Sequence, residues 1–322
     1  MPYNGQFGLV QEALGSFGSH NYSHLFTDLY RSGELIDPVI GMRLDPANPR
    51  LTVGALNSED YEGTLNWVEI VPNKHNFTQS NVFEFDGFRS RDLPLGPFTN
   101  STPMLTAVDT KLLVIAIPNN LTVFLSSGLL GSINESLKTT SDVDGLHFLT
   151  NCSLAHSIAG KDASPDCIDM SVAINGVSYE IESRDLLQGP PNHSQQIVGI
   201  GFNTLAPQEP QTILGLPFLR SVYLAYRFPT DSCPGYFGFA FPRGANRTQE
   251  QIAQKPQSTP ALSSQCLSFA APTSTPSPLG APLPVGVDGK QYSVYGNDSL
   301  QVQLIGADQL VKGVWNVTNG KI

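Results

Sequence analysis

The chain has few charged residues, and positive charge is the scarcer kind. Asp, Glu, Lys and Arg make up 14% of the 322 residues, whereas an average soluble domain has about 25%. The 18 Lys and Arg are outnumbered by 28 Asp and Glu, so the net charge is −10. Nucleic-acid binding depends on clustered Lys and Arg. The charge balance therefore argues against a nucleic-acid partner.

Long apolar runs and the spacings of common metal sites are also lacking. The longest apolar run, residues 112–117, is far shorter than the roughly 18 residues of a membrane-spanning helix. The first residues contain no apolar signal segment. Neither Cys-x-x-Cys nor His-Glu-x-x-His occurs, so a zinc site is not expected. A transmembrane protein is therefore excluded, and we expect neither a metal nor another cofactor.

Glycine and proline are plentiful instead. The chain contains 29 Gly and 25 Pro, and their abundance favours many short strands and turns over long helices. We therefore expect a mainly β protein. Its length allows a large core and about two domains.

Asparagine sequons and cysteines both indicate a secreted protein. Ten N-x-Ser/Thr sequons, which accept glycans in the secretory pathway, occur at Asn21, Asn76, Asn100, Asn120, Asn134, Asn151, Asn192, Asn246, Asn297 and Asn316. We therefore expect an extracellular or cell-wall location, and a natural N-terminus that precedes residue 1.

Four cysteines, Cys152, Cys167, Cys233 and Cys266, suit an oxidising compartment and allow three pairings. We favour Cys152–Cys167, which closes a short loop, and Cys233–Cys266. Each closure is expected to stabilise the fold by about 3–4 kcal/mol.

Local patterns predict strands and two helices. Four stretches between Pro, Asn and Gly clusters have strand composition, namely residues 51–56, 65–71, 82–88 and 104–109. Met170–Ile174 and Val177–Ile181 flank Asn175-Gly176, and this predicts a hairpin because both turn residues tolerate a positive φ. Helices are predicted at 23–32, ending at Gly33, and at 121–130.

Two distant segments carry the most chemical information. Residues 106–110 read Thr-Ala-Val-Asp-Thr, and residues 212–220 read Thr-Ile-Leu-Gly-Leu-Pro-Phe-Leu-Arg. An apolar strand that delivers Asp-Thr into a turn, with a distant apolar-apolar-Gly before a short helix, resembles the C-terminal lobe of pepsin-like aspartic peptidases. In that family the strand ending in Asp-Thr/Ser-Gly passes beside the apolar-apolar-Gly strand.

The order of other segments supports this resemblance. Residues 61–68, Tyr-Glu-Gly-Thr-Leu-Asn-Trp-Val, are similar to the family's Y-x-G-x-L-x-W-V segment. Residues 171–180 resemble its hairpin, and 223–228 followed by 237–240 resemble its closing strands. Residues 3–9 are similar to the F-D-G-I-L-G-L element of the N-lobe. The resemblance spans residues 3–242 and is closest to secreted fungal members.

The resemblance implies a mainly β, pepsin-like acid-protease fold with the second half of the N-lobe and a complete C-lobe. Residues 1–102 would hold the remainder of the N-lobe and the central inter-lobe sheet, and 103–242 the C-terminal lobe. Residues 243–285 contain a stretch, 256–284, that is rich in Ser, Thr and Pro. Such a composition buries too little apolar surface to fold, so we expect a disordered linker there. Residues 286–322 would form a small β-like segment without an assigned role.

The family's chemistry requires two facing carboxylates that share one proton and activate a water between them. Like charges a few ångströms apart cannot both ionise, so one carboxylate acts as base and the other as acid. By resemblance, Asp109 is the C-lobe carboxylate and Thr110 is the hydroxyl residue behind it. The N-lobe carboxylate is expected before Tyr3, outside the chain, and neither Asp-Thr-Gly nor Asp-Ser-Gly occurs within it.

The motif around Asp109 departs from the family at Lys111, which stands where relatives have glycine after Asp-Thr. Glycine suits a turn that brings backbone N–H groups close to the carboxylates. An ammonium close to Asp109 would favour the ionised carboxylate and oppose proton sharing. Leu216, where many relatives carry Asp, is interpreted as a structural change.

The sequence therefore predicts an aspartic endopeptidase-like chain that acts on a polypeptide substrate or ligand and is defective as a catalyst. The alternative is a non-catalytic secreted glycoprotein that binds peptide or carbohydrate in the cleft. We expect a monomer. A homodimer that pairs two Asp109 residues across a twofold axis is disfavoured, because the half N-lobe would stand in the way.

Overall fold

The computed structural model describes residues 25–44, 49–71, 81–90, 93–95, 104–110, 112–118, 139–142, 145–150, 170–188, 196–203, 212–230, 232–245, 247–269, 300–305 and 311–317. The chain divides into two compact units. The first contains Met1–Ile70, Val222–Ala253 and Thr259–Ile322, and the second contains Val71–Ser221 and Gln254–Ser258.

Strands dominate the described residues, which confirms the expected mainly β class. The strands are β1 (Val39–Arg43), β2 (Arg50–Val53), β3 (Tyr61–Glu69), β4 (Val82–Phe85), β5 (Gly87–Ser90), β6 (Leu93–Leu95), β7 (Met104–Val108), β8 (Ile115–Pro118), β9 (Thr139–Asp142), β10 (Gly145–Thr150), β11 (Met170–Ile174), β12 (Val177–Ile181), β13 (Leu187–Gln188), β14 (Gln196–Asn203), β15 (Thr212–Leu214), β16 (Tyr223–Arg227), β17 (Tyr236–Pro242), β18 (Leu300–Ile305) and β19 (Val311–Val317). The helices are short: α1 (Leu25–Arg31), α2 (Ser183–Leu186), α3 (Leu216–Arg220), α4 (Gln249–Ile252) and α5 (Ser263–Cys266).

The first unit is built on a seven-stranded sheet in the order β19-β18-β2-β1-β16-β17-β3. Its neighbouring strands pair antiparallel, except that β18 runs parallel to β2. Every residue of β16 and β17 is buried. Their largely apolar sequences suit strands covered on both faces. Tyr223 of β16 also stacks on Tyr61 with 4.8 Å between ring centroids.

The described residues of the second unit form two sheets. The larger has the order β4-β7-β15-β8-β14-β10-β9, with β13 also paired to β14. Within it, β15 runs parallel to β7 and β14 runs parallel to β8. The smaller sheet has the order β12-β11-β5-β6. The larger sheet positions the segment that carries Asp109.

The strongest local predictions are confirmed. The hairpin forms with Ile174 opposite Val177, and the turn residues Asn175 and Gly176 have φ of 46° and 81°. Helix α1 lies inside the predicted range 23–32 and is followed by Gly33 at φ 79°. The helix predicted at 121–130 lies outside the described residues.

Two predicted strands differ from the structure where glycine takes a positive φ. The stretch 51–56 ends as a strand at Val53, because Gly54 has φ 90°. The stretch 82–88 is divided into β4 and β5 by a break at Asp86, and Gly87 follows at φ 117°. Such φ values interrupt the extended backbone of a strand.

Residues 247–269 differ from the expected linker, because they are ordered. Helix α4 begins with a capping box in which Thr248 and Gln251 bond each other's backbone N–H. Residues 254–258, here called the strap, then bind the turn of the β11–β12 hairpin. The remainder of the Ser/Thr/Pro-rich stretch, from residue 270, lies outside the described residues.

Hydrogen bonds to one asparagine hold the strap. Asn175 Nδ2 donates to Ser258 O at 2.8 Å, and Ser258 N and Oγ donate to Asn175 Oδ1 at 3.1 and 2.8 Å. Gln257 N donates to Asn175 O at 2.9 Å, and Ser178 N donates to Gln254 Oε1 at 2.8 Å. Polar pairing rather than apolar burial therefore orders this segment, which is why its composition did not predict it.

A disulfide joins Cys233 to Cys266, the second of the two pairings favoured from the sequence. The buried Arg227 side chain lies beside it. Its guanidinium donates to the carbonyl oxygens of Cys266 and Pro234 at 3.1 and 2.9 Å. The α5 segment is therefore attached to the first unit by one covalent bond and by charge-assisted hydrogen bonds. Cys152 and Cys167 lie outside the described residues.

We expect the double substitution Cys233→Ser/Cys266→Ser to lower the free energy of unfolding by about 3–4 kcal/mol, because the disulfide closes a loop with a sequence separation of 33. Urea unfolding of the unmodified and substituted chains measures this. The single substitution Cys233→Ser, which removes the same bond and no other, is the control and should show a similar loss. A change below about 1 kcal/mol in both would contradict the expectation.

Charged side chains are buried together in the first unit. Asp60 is 2% exposed, and its Oδ1 lies 2.8 Å from Arg50 Nη1. Arg43, opposite Arg50 in the β1–β2 pairing, is 7% exposed. Burial raises the pKa of the Asp60 carboxyl to about 6, although Arg50 and Arg43 act to lower it. This group was not singled out by the sequence, since an Asp between Glu59 and Tyr61 reads as an ordinary turn residue.

The raised pKa of Asp60 predicts that this carboxyl stabilises the folded first unit more in acid than at neutral pH. The folded-state value of about 6 exceeds the ordinary value of 3.8, so the stabilisation is complete below about pH 4 and is lost as pH rises through 6. Between pH 4 and 7 the free energy of unfolding should fall by up to about 3 kcal/mol more in the unmodified chain than in Asp60→Asn. Urea unfolding at several pH values measures the difference, and parallel curves would contradict it.

Candidate functional site

Asp109 lies directly after the last residue of β7, beside β15. The two strands are parallel, with Thr212 opposite Thr106, Ile213 opposite Ala107 and Leu214 opposite Val108. The pairing continues one step further, because the backbone N–H of Asp109 donates to Leu214 O at 3.1 Å. The expected passage of the Asp-Thr strand beside the apolar-apolar-Gly strand is confirmed.

Gly215 allows the chain after Asp109 to fold back against β15. A Cβ at Gly215 would overlap the carbonyl oxygens of Leu112 and Val114, so the backbone of 112–114 occupies the space that a side chain would need. Gly215 itself has φ −90°, so glycine is required here by the close approach and not by an unusual backbone angle.

Backbone hydrogen bonds close the turn between these elements. Leu112 N donates to Asp109 O at 3.3 Å, and Leu216 N donates to Leu112 O at 2.8 Å. Helix α3 begins at Leu216, with Pro217 in its first turn, where its missing N–H has no helical partner to lose. Leu216 therefore has a structural position at the start of this helix.

The strand that carries Asp109 is also held by polar side chains. Thr106 Oγ1, which is buried, donates to Thr212 O at 3.2 Å across the β7–β15 pair. The side-chain amide of Asn81 donates to the carbonyl oxygen of Val108, the residue before Asp109. Sequence reasoning missed Asn81, since an Asn before a strand reads as a loop residue.

The structure leaves Asp109 half-buried and Thr110 exposed. A half-buried carboxylate at the end of a strand, with its backbone fixed on both sides of a tight turn, can be presented to a bound molecule with little freedom. This arrangement suits the acid or base role of a positioned carboxylate.

The sequence was also compared with models of known protein families. The model of the eukaryotic aspartyl protease family matches residues 3–233. The chain belongs to this family. A search of curated proteins finds no matching relative. The mainly β sheets of this aspartyl protease family member agree with the pepsin-like fold expected from the sequence.

Most of the other positions that the sequence marked as functional in this aspartyl protease family member are not among the described residues. Lys111 lies outside the described residues, and so do nine of the ten sequons, Asn316 in β19 being the exception. None of the described helices has the length and apolar character needed to span a membrane.

Gly215→Ala tests the close approach at the centre of the site. We expect it to lower the free energy of unfolding by about 3 kcal/mol or more, because the added methyl group meets backbone that cannot swing aside. Urea unfolding measures this.

Gly244→Ala is the matched control. Gly244 has φ 76° and no atom within 4 Å of the added methyl group, so only the backbone conformation is strained, at a cost of about 1–2 kcal/mol. An equal or smaller loss for Gly215→Ala than for this control would contradict the close approach.

Proposed function

We propose that the chain is a pepsin-like aspartic endopeptidase relative in which Asp109 takes the position of the C-lobe catalytic carboxylate, with Thr110 behind it. We further propose that these 322 residues are defective in peptide hydrolysis. The family reaction is acid hydrolysis of a peptide bond by two carboxylates and a water. We accordingly expect the substrate or ligand to be another polypeptide.

One observation carries the assignment of Asp109. Its backbone N–H bonds Leu214 O at the end of a parallel strand pair, and the chain then turns against Gly215. This supports a fixed carboxylate in the segment whose sequence resembles the family's Asp-Thr motif. Thr110, the next residue, is exposed.

The defect rests on residue types in the motif. Lys111 replaces the glycine of Asp-Thr-Gly, which adds a side chain and a cation two residues after Asp109 in the sequence. Neither Asp-Thr-Gly nor Asp-Ser-Gly occurs in these 322 residues. Two carboxylates that share a proton are the basis of the chemistry, and a cation beside one of them opposes that sharing.

Lys111 also favours a second candidate function. A chain that keeps the family's fold and has lost its hydrolytic chemistry can still bind an extended peptide or a carbohydrate. The ten sequons suit a secreted glycoprotein at the cell surface or cell wall. Under this alternative the ligand is bound and released unchanged.

The proposal is tested by incubating the glycosylated chain with an unfolded protein at about pH 3–5, where a carboxylate dyad works. Parallel samples contain pepstatin or carry Asp109→Asn. Asp86→Asn, which changes an exposed carboxylate of the same unit, is the matched control. We expect no cleavage above background in any folded sample, as measured by the appearance of peptide fragments.

The other outcomes separate the two parts of the proposal. Cleavage that is abolished by pepstatin and Asp109→Asn and retained in Asp86→Asn would support the position of Asp109 and overturn the defect. Cleavage that survives Asp109→Asn would overturn the assignment of Asp109. An uncleaved extended peptide that binds the folded chain in a calorimetric titration would favour the second candidate.

A further inference from the structure

The peptide group that joins Val108 to Asp109 is held at both ends. Its N–H, which belongs to Asp109, donates to Leu214 O at 3.1 Å. Its carbonyl oxygen, which belongs to Val108, accepts a hydrogen bond from the side-chain amide of Asn81. Because a peptide group is planar, two hydrogen bonds at opposite ends leave its plane little freedom to rotate.

The position of Asn81 explains this contact. Strands β4 and β7 pair antiparallel with Val82 opposite Ala107, so the next step of the register sets Asn81 opposite Val108. The ladder stops at Val82, and the Asn81 side chain provides the hydrogen bond at the following position. A carbonyl oxygen accepts only, so the Asn81 amide nitrogen must be the donor.

The plane of the Val108–Asp109 peptide determines the direction of the Asp109 side chain. Only one torsion angle, φ of Asp109, separates that plane from the Cα–Cβ bond of Asp109. A hydrogen bond that fixes the plane therefore limits the orientation of the carboxylate more than a contact elsewhere on β7 would.

We propose that Asn81 is a positioning residue, whose side-chain amide holds the Val108–Asp109 peptide and so fixes the direction in which Asp109 presents its carboxylate. The functional importance of this contact rests on the proposed function of Asp109. The contact itself is tested without any measurement of hydrolysis.

Asn81→Ala removes the hydrogen bond to Val108 O, and Thr106→Val is the matched control. Thr106 lies on β7, the strand that ends at Val108, and its side chain also donates a hydrogen bond to a backbone carbonyl oxygen. Its acceptor is Thr212 O at 3.2 Å. Thr106→Val loses this bond and a longer one to Ala107 O at 3.4 Å, whereas Asn81→Ala loses the bond to Val108 O. Only Asn81→Ala therefore removes a contact of the peptide that joins Val108 to Asp109.

Nuclear magnetic resonance of the full chain distinguishes positioning from general stability. In Asn81→Ala we expect the amide hydrogen of Asp109 to exchange about threefold to tenfold faster, and the carboxyl carbon resonance of Asp109 to shift. In Thr106→Val that resonance should stay in place. An unchanged Asp109 in Asn81→Ala, or an equal change in both variants, would overturn the proposal.

The unmodified chain offers a second measurement that does not depend on the folding of any variant. If the Asn81 side chain donates to Val108 O, its amide hydrogens should exchange with solvent more slowly than the side-chain amide hydrogens of exposed asparagines. Exchange at the exposed rate would overturn the proposal. Neither readout depends on cleavage. They can therefore overturn the role of Asn81 while the assignment of Asp109 stands, and the cleavage assay can overturn the assignment of Asp109 while the contact of Asn81 stands.

Discussion

The second unit depends on the absence of a side chain at Gly215. The carbonyl oxygens of Leu112 and Val114 occupy the space where a Cβ would lie, so the chain leaving β7 can return against β15. This close approach lets Leu216 N reach Leu112 O and closes the turn that begins at Asp109. A purely steric constraint at one residue thus holds a carboxylate at the end of a parallel strand pair.

The family's fold and the family's hydrolytic chemistry make different demands on the sequence of this chain. Membership in the eukaryotic aspartyl protease family rests on a match over residues 3–233 and agrees with the sheet architecture. Hydrolysis demands more, namely a second carboxylate and a turn that tolerates proton sharing. In the sequence, Lys111 follows Asp109-Thr110 at the position where the family motif has glycine. The proposed loss of catalysis therefore needs no change in the fold that carries Asp109.

Features determined by neighbouring residues were predictable from the sequence, whereas features determined by distant polar pairs were not. Asn175-Gly176 indicated its hairpin because two adjacent residues accept a positive φ. The order of Asp-Thr and Ile-Leu-Gly indicated the β7–β15 pairing through a family resemblance. The strap escaped prediction because hydrogen bonds to Asn175, about 80 positions away, replace apolar burial. The roles of Asn81 and Asp60 were not predicted for a similar reason. Asn81 bonds the carbonyl oxygen of Val108, which is 27 positions away, and the pKa of Asp60 is raised by burial in the folded unit.

Residue-by-residue hydrogen exchange in the unmodified chain tests the turn at Gly215 most directly. The account predicts that the amide hydrogens of Asp109, Leu112 and Leu216, which all bond backbone carbonyls around this turn, exchange at least about 100-fold more slowly than in an unfolded peptide. Exchange of these three amides at unfolded rates, in a chain whose β16 and β17 amides are protected, would contradict it. Asp109 would then lack the fixed backbone on which its proposed role depends.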